Sequence, residues 1–123
     1  MGDFKDLRVW QEARSLAVLS SAAIEKLPRH ERYVLGDQCA VRPTAFVLNL
    51  AEGNSRRGPR EFRRYLDIAR ASLHEMEGIL ELAKALNYLG ETELRSLCAK
   101  RANCARLIYA MLRRIEEAAR RTS

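Results

Sequence analysis

Apolar residues recur at spacings of three and four in four stretches of the chain, separated by three short breaks. That period is the signature of amphipathic helices. The first predicted helix covers residues 6–26, with a stripe of Leu7, Trp10, Ala13, Ala17, Ser20 and Ile24 widened by Leu16 and Ala23. Asp3 or Asp6 is expected to cap it, and Pro28 stops it, because a helix cannot pass through proline without losing a hydrogen bond. The second covers residues 31–52, with Val34, Leu35, Val41, Ala45, Phe46, Leu48 and Leu50 as its apolar surface. Pro43 predicts a kink inside it, and Gly53 is placed to cap its end.

The third helix, residues 59–88, has the clearest pattern, opening on Pro59 at the first helical position. One seam runs Phe62, Leu66, Ala69, Leu73, Met76, Leu80, Ala83, and an adjacent one runs Tyr65, Ile68, Ser72, Glu75, Ile79, Leu82, Leu86. Both alternate four and three, the bundle period. Two seams make this helix central in the bundle or turn it toward another subunit. Tyr65, Ile68, Ile79 and Leu82 are therefore the candidate oligomer interface. Leu89-Gly90 ends the helix. The fourth, residues 91–121, puts Leu94, Leu97, Cys104, Ile108, Met111 and Ile115 on one face, with Cys98, Ala105, Tyr109 and Leu112 beside it. Its acids Glu91 and Glu93 and its terminal Arg120 and Arg121 complement the helix dipole. Helices of this length with short connections predict an all-α fold, an antiparallel up-down-up-down four-helix bundle in one domain spanning residues 1–123.

Composition adds charge to this picture. Lys and Arg number 22 against 16 acids, a formal +6, and most of the cations are Arg. Arginine matches phosphate in a bidentate geometry. Arg56, Arg57, Arg60, Arg63 and Arg64 cluster around the start of the third helix. Lys100, Arg101, Arg106, Arg113, Arg114, Arg120 and Arg121 run along the fourth. Of these, Arg56, Arg57, Arg60, Arg63, Arg64, Arg113, Arg114, Arg120 and Arg121 are the candidate nucleic-acid-binding residues. A helix N-terminus favours a bound anion, which gives cations at that place some meaning. The competing reading is a solvated surface paired with Glu61, Asp67, Glu116 and Glu117.

Catalytic patterns are missing. The two histidines, His30 and His74, do not follow a glutamate by three positions, which a di-iron bundle requires. Residues 53–58 have the GxxxxG spacing, but Pro59 and Arg60 follow in place of the Walker lysine. We assign no enzyme activity, catalytic residue, metal or cofactor. The three cysteines, Cys39, Cys98 and Cys104, lack CxxC spacing and sit among apolar neighbours, as expected in a reducing cytoplasm. No apolar run reaches the roughly 18 residues of a membrane span. Polar residues on otherwise apolar faces, namely Gln38, Asn49, Glu52, Ser72, Glu75 and Glu77, form a candidate polar set, structural or functional.

The segments VWQEA, PRHERYVLGDQ, LNLAEGNSRR and EFRRYLDIARASLHEMEGILELAKALNYL together resemble the bacterial family of 23S ribosomal RNA intervening-sequence proteins. The resemblance covers about residues 4–89. Positions matching the family's strong ones are Trp10, Pro28, Glu31, Tyr33, Gln38, Asn49, Glu52, Gly53, Arg57, Glu61, Phe62, Ser72, Glu75 and Glu77. Val41-Arg42 stands where the family usually has Arg-Ala, Ala45 replaces a serine, Val47 replaces a proline, and a proline sits instead at Pro43. The resemblance implies a four-helix bundle assembling as a homopentamer. It also implies kinship with the accessory proteins of diversity-generating retroelements and a ribonucleoprotein role binding RNA or DNA. The alternative is a scaffold whose oligomer holds a protein partner without nucleic acid. No membrane partner is expected.

Overall fold

The computed structural model describes residues 7–32 and 58–122. The second predicted helix beyond residue 32, with its Pro43 kink, the Gly53 cap, Cys39 and the Val41 and Ala45 departures, lies outside the described residues. What is described is helical, with no strand among the described residues: α1 (Arg8–Ile24), a four-residue 3-10 turn (Arg29–Arg32), α2 (Pro59–Ala85) and α3 (Glu91–Thr122).

The α1 helix starts two residues later than its pattern predicts. Leu7 is its cap residue, in extended backbone, with no side-chain capping hydrogen bond. Asp3 and Asp6, the expected caps, lie outside the described residues. Its buried residues are Val9, Ala13, Leu16, Ser20 and Ala23, continued by Leu27. Trp10, Ala17 and Ile24 are only half-buried, so the true stripe is rotated from the expected one. The expected and observed stripes share Ala13, Leu16, Ser20 and Ala23, and Val9 is the buried residue of α1 that the expected stripe leaves out. The neighbouring helix, not the period, chooses between them.

Gly58 sits at φ 87°, in the left-handed region that favours glycine, and Pro59 opens α2 at its first position. The helix ends at Ala85, three residues before the predicted stop. Asn87 takes φ 56°, its N–H donates to the Lys84 carbonyl at 3.1 Å, and the Tyr88 N–H donates to the Ala83 carbonyl at 3.0 Å. That pair of bonds is a Schellman ending with asparagine in the left-handed place.

Both α1 and α2 pack against α3. Cross-helix ion pairs set the directions. On α1, Glu12 meets Lys100 at 2.7 Å, and just past its end Lys26 meets Glu93 at 3.3 Å. On α2, Arg63 meets Glu116 at 2.8 Å and Glu77 meets Arg101 at 3.3 Å. In each pairing the residue number rises along one helix while it falls along α3. The core between them joins Leu16 and Val9 of α1, Leu66, Leu73 and Met76 of α2, and Leu97, Cys104, Ile108 and Leu112 of α3. Burying large aliphatic side chains is worth about 1.5–3 kcal/mol each. No described helix is long and apolar enough to cross a membrane.

Candidate nucleic-acid interface

The fold brings the two basic stretches to one end of the molecule. Arg60, Arg63 and Arg64 occupy the first two turns of α2, and Arg113, Arg114, Arg120 and Arg121 the last turns of α3. The link is Arg63, whose Nη2 donates to Glu116 Oε1 at 2.8 Å while its Nε lies 3.8 Å from Asp67 Oδ2. Both side chains of that bridge are roughly two-fifths exposed, so it contributes no more than about 1 kcal/mol. Its consequence is positional: it seats the start of α2 against the end of α3. Arg113 leans toward Glu117 at 3.8 Å, a loose contact within one helix.

Arg60, Arg64, Arg114 and Arg121 are exposed and make no ion pair with another described residue. Arg60, Arg63 and Arg64 rim a shallow hollow of about 610 Å³, with Glu61, Asp67 and Ile68 completing its lining. At the same end, Arg8 and Arg114 flank a groove of about 550 Å³ whose apolar lining includes Phe62, Leu107, Met111 and Ile115. Arg56 and Arg57 lie outside the described residues.

The candidate interface residues follow the second seam of α2. Ile68 is 40% exposed and Leu82 46%, while Tyr65 and Ile79 are half-buried. Of the candidate polar set, Gln38, Asn49 and Glu52 lie outside the described residues. The buried Ser72 hydroxyl donates to the Ile68 carbonyl one turn back in its own helix, at 3.3 Å. Glu75 is exposed. Glu77 reaches across to Arg101, a mostly buried guanidinium 3.3 Å away. These described contacts do not join Ser72 to Glu77.

A second polar junction escaped the sequence reading. Glu12 accepts from Lys100 Nζ at 2.7 Å and from Asn103 Nδ2 at 2.8 Å, tying α1 to α3. Asn103 in turn accepts from Arg106. The hydrogen bond from Lys100 holds the Glu12 carboxyl below its ordinary range, with help from the Lys100 charge and Asn103 against desolvation. The available signal was a glutamate inside VWQEA, directly before the buried Ala13. Next to this junction, burial pushes the Cys104 thiol up to about 12, so it stays protonated at neutral pH and acts as a small apolar group. Cys98 is free and exposed. Among the described residues no group of three His, Cys, Asp or Glu side chains converges to hold a metal ion.

The fold and this end of it define a basic, all-helical protein with surface arginines drawn from two distant parts of the chain. Residues 5–110 match the model of the 23S rRNA-intervening sequence protein family, and the chain belongs to that family. No curated protein matches it.

Proposed function

We propose that this protein is a non-enzymatic, homo-oligomeric helical bundle that binds RNA or DNA in the cytoplasm through its arginine-rich end, in a ribonucleoprotein-type role. The observation that carries the reading is the meeting of the two arginine stretches at the Arg63–Glu116 bridge, with Arg60, Arg64, Arg114 and Arg121 left without a described acidic partner. The family name, which concerns ribosomal RNA, supports a role near RNA. Residues 1–123 are read as an antiparallel up-down-up-down four-helix bundle, with residues 31–52 supplying the remaining helix.

Assembly is supported by the apolar residues that the second seam leaves exposed, Ile68, Leu82 and Leu86. A ring of five, the number the family resemblance implies, would carry a charge of about +30, a field that steers polyanions strongly. Binding is then salt-dependent and has little sequence preference. The same exposed Ile68, Leu82 and Leu86 also favour a second reading, an oligomer that holds a protein partner.

Light-scattering mass of the purified protein, with and without a short structured RNA at low salt, tests the proposal. We expect an oligomer whose mass rises with RNA and returns on adding salt. An oligomer that ignores both RNA and DNA at low salt sinks the nucleic-acid reading and leaves the protein scaffold. A monomer removes assembly from the proposal.

A further inference from the structure

The fourth predicted helix placed Tyr109 beside its apolar face, yet in the structure Tyr109 is 59% exposed. It stands on α3 two turns before Glu116, the residue that meets Arg63 of α2, with most of its surface open to solvent. Arg106 lies three residues before it and Arg113 four residues after, the spacings that share a helix face. At 1.5 Å rise per residue the two cations sit about 5 Å to either side of the ring along the axis. Ala105, one turn before it, and Ala110, next to it, are small, so they leave the ring face open. The Arg106 guanidinium donates to the neutral Asn103 amide, not to a carboxylate, and keeps its charge available. Arg120 extends the same stripe toward the basic end.

An exposed tyrosine alone signifies little. One between two arginines presents a flat π-face with phosphate-matching groups on both sides, the arrangement that holds unpaired nucleotides. A duplex buries its base faces and offers only phosphates to such a stripe. Among nucleic acids, RNA characteristically presents splayed bases in loops and bulges.

We propose that the stripe Arg106, Tyr109, Arg113 is a stacking site for an unpaired stretch of RNA, Tyr109 packing on a base while the arginines contact the flanking phosphates. This rests on the nucleic-acid reading above and narrows it to single strands. The test compares the full chain with Tyr109→Ala and Tyr109→Phe, using labelled oligouridine and an RNA duplex of equal phosphate number. Tyr109→Ala is expected to weaken oligouridine binding by about tenfold while leaving duplex binding and the salt slope unchanged. Tyr109→Phe, which keeps the ring, should retain wild-type binding.

If the wild type binds RNA and Tyr109→Ala binds oligouridine equally well, or loses strand and duplex alike, the stacking site is overturned while the broader reading stands. A drop in light-scattering mass of Tyr109→Ala without RNA overturns it in favour of a subunit contact. Binding of oligothymidine without oligouridine overturns it in favour of DNA. A wild type that binds neither nucleic acid takes down both proposals.

Discussion

Along α2, Phe62, Leu66, Ala69, Leu73, Met76, Leu80 and Ala83 are at most 7% exposed, whereas in the adjacent seam Ile68 and Leu82 expose 40% and 46%, and Leu86 at the helix end 46%. Both seams repeat with the same alternation of four and three. The difference lies in what they meet and what interrupts them. The first seam is apolar throughout, and Ala69 and Ala83 are small enough to admit a close neighbour; α3 lies against it. The second carries the Glu75 carboxylate at its middle, which costs heavily to bury and turns that seam toward water. Periodicity identifies a helix and its faces. It does not say which face the chain's own core claims.

The largest effect expected from breaking this contrast is at Leu73, which is 1% exposed. Leu73→Asp puts a carboxylate into the core and should cost more than about 4 kcal/mol, most of the stability of a domain this size. Ile68→Asp, on the second seam, should leave the subunit's helicity in place and instead lower the mass seen by light scattering. Circular dichroism and sizing on both variants decide the matter. If Ile68→Asp unfolds the chain as Leu73→Asp does, or leaves the mass unchanged, the two seams do not have separate duties.

The polar junctions of α3 sharpen the comparison at a smaller scale. Glu12, half-buried, takes two hydrogen bonds from α3, whereas Glu77 is about half exposed and meets one guanidinium. Glu12→Gln should therefore cost about 1 kcal/mol near neutral pH, and Glu77→Gln less. Because the Glu12 carboxyl is held below its ordinary range, its contribution is present above the unfolded-state value of about 4.3. It is lost as pH falls through the lower folded-state value. Urea midpoints of wild type and Glu12→Gln should converge once the pH is below that folded-state value. A gap that persists there means Glu12 acts through packing, not charge.

The three described helices and the first seam were readable in the chain, because seven consecutive positions of one seam agree on one face. The exact phase of α1 was not: Ala13, Leu16, Ser20 and Ala23 fit two stripes, and only packing on α3 selects Val9 over Trp10 and Ala17. The end of α2 was placed too late because Asn87, not Gly90, takes the left-handed turn. At the basic end, the clusters themselves were visible in the sequence. Their meeting was not, since Arg63 and Glu116 are 53 residues apart and pattern carries no long-range distance. Tyr109 falls at the margin of an apolar arc, where a rotation of a few tens of degrees separates core from solvent.

The smallest expected effect concerns Ser72, the buried polar member of the second seam. Its hydroxyl bonds the Ile68 carbonyl within α2, and no described contact carries it to another helix. A bond of this kind competes with the helix ladder and adds little to it, and alanine has the better helix propensity. Ser72→Ala should thus shift stability by no more than about 0.5 kcal/mol, with the oligomeric mass unchanged. A loss beyond about 1 kcal/mol would show the hydroxyl serving a contact outside its own helix. If that loss came with a smaller light-scattering mass, Ser72 would belong to the subunit contact, and the polar interruption of the second seam would be part of what joins the subunits.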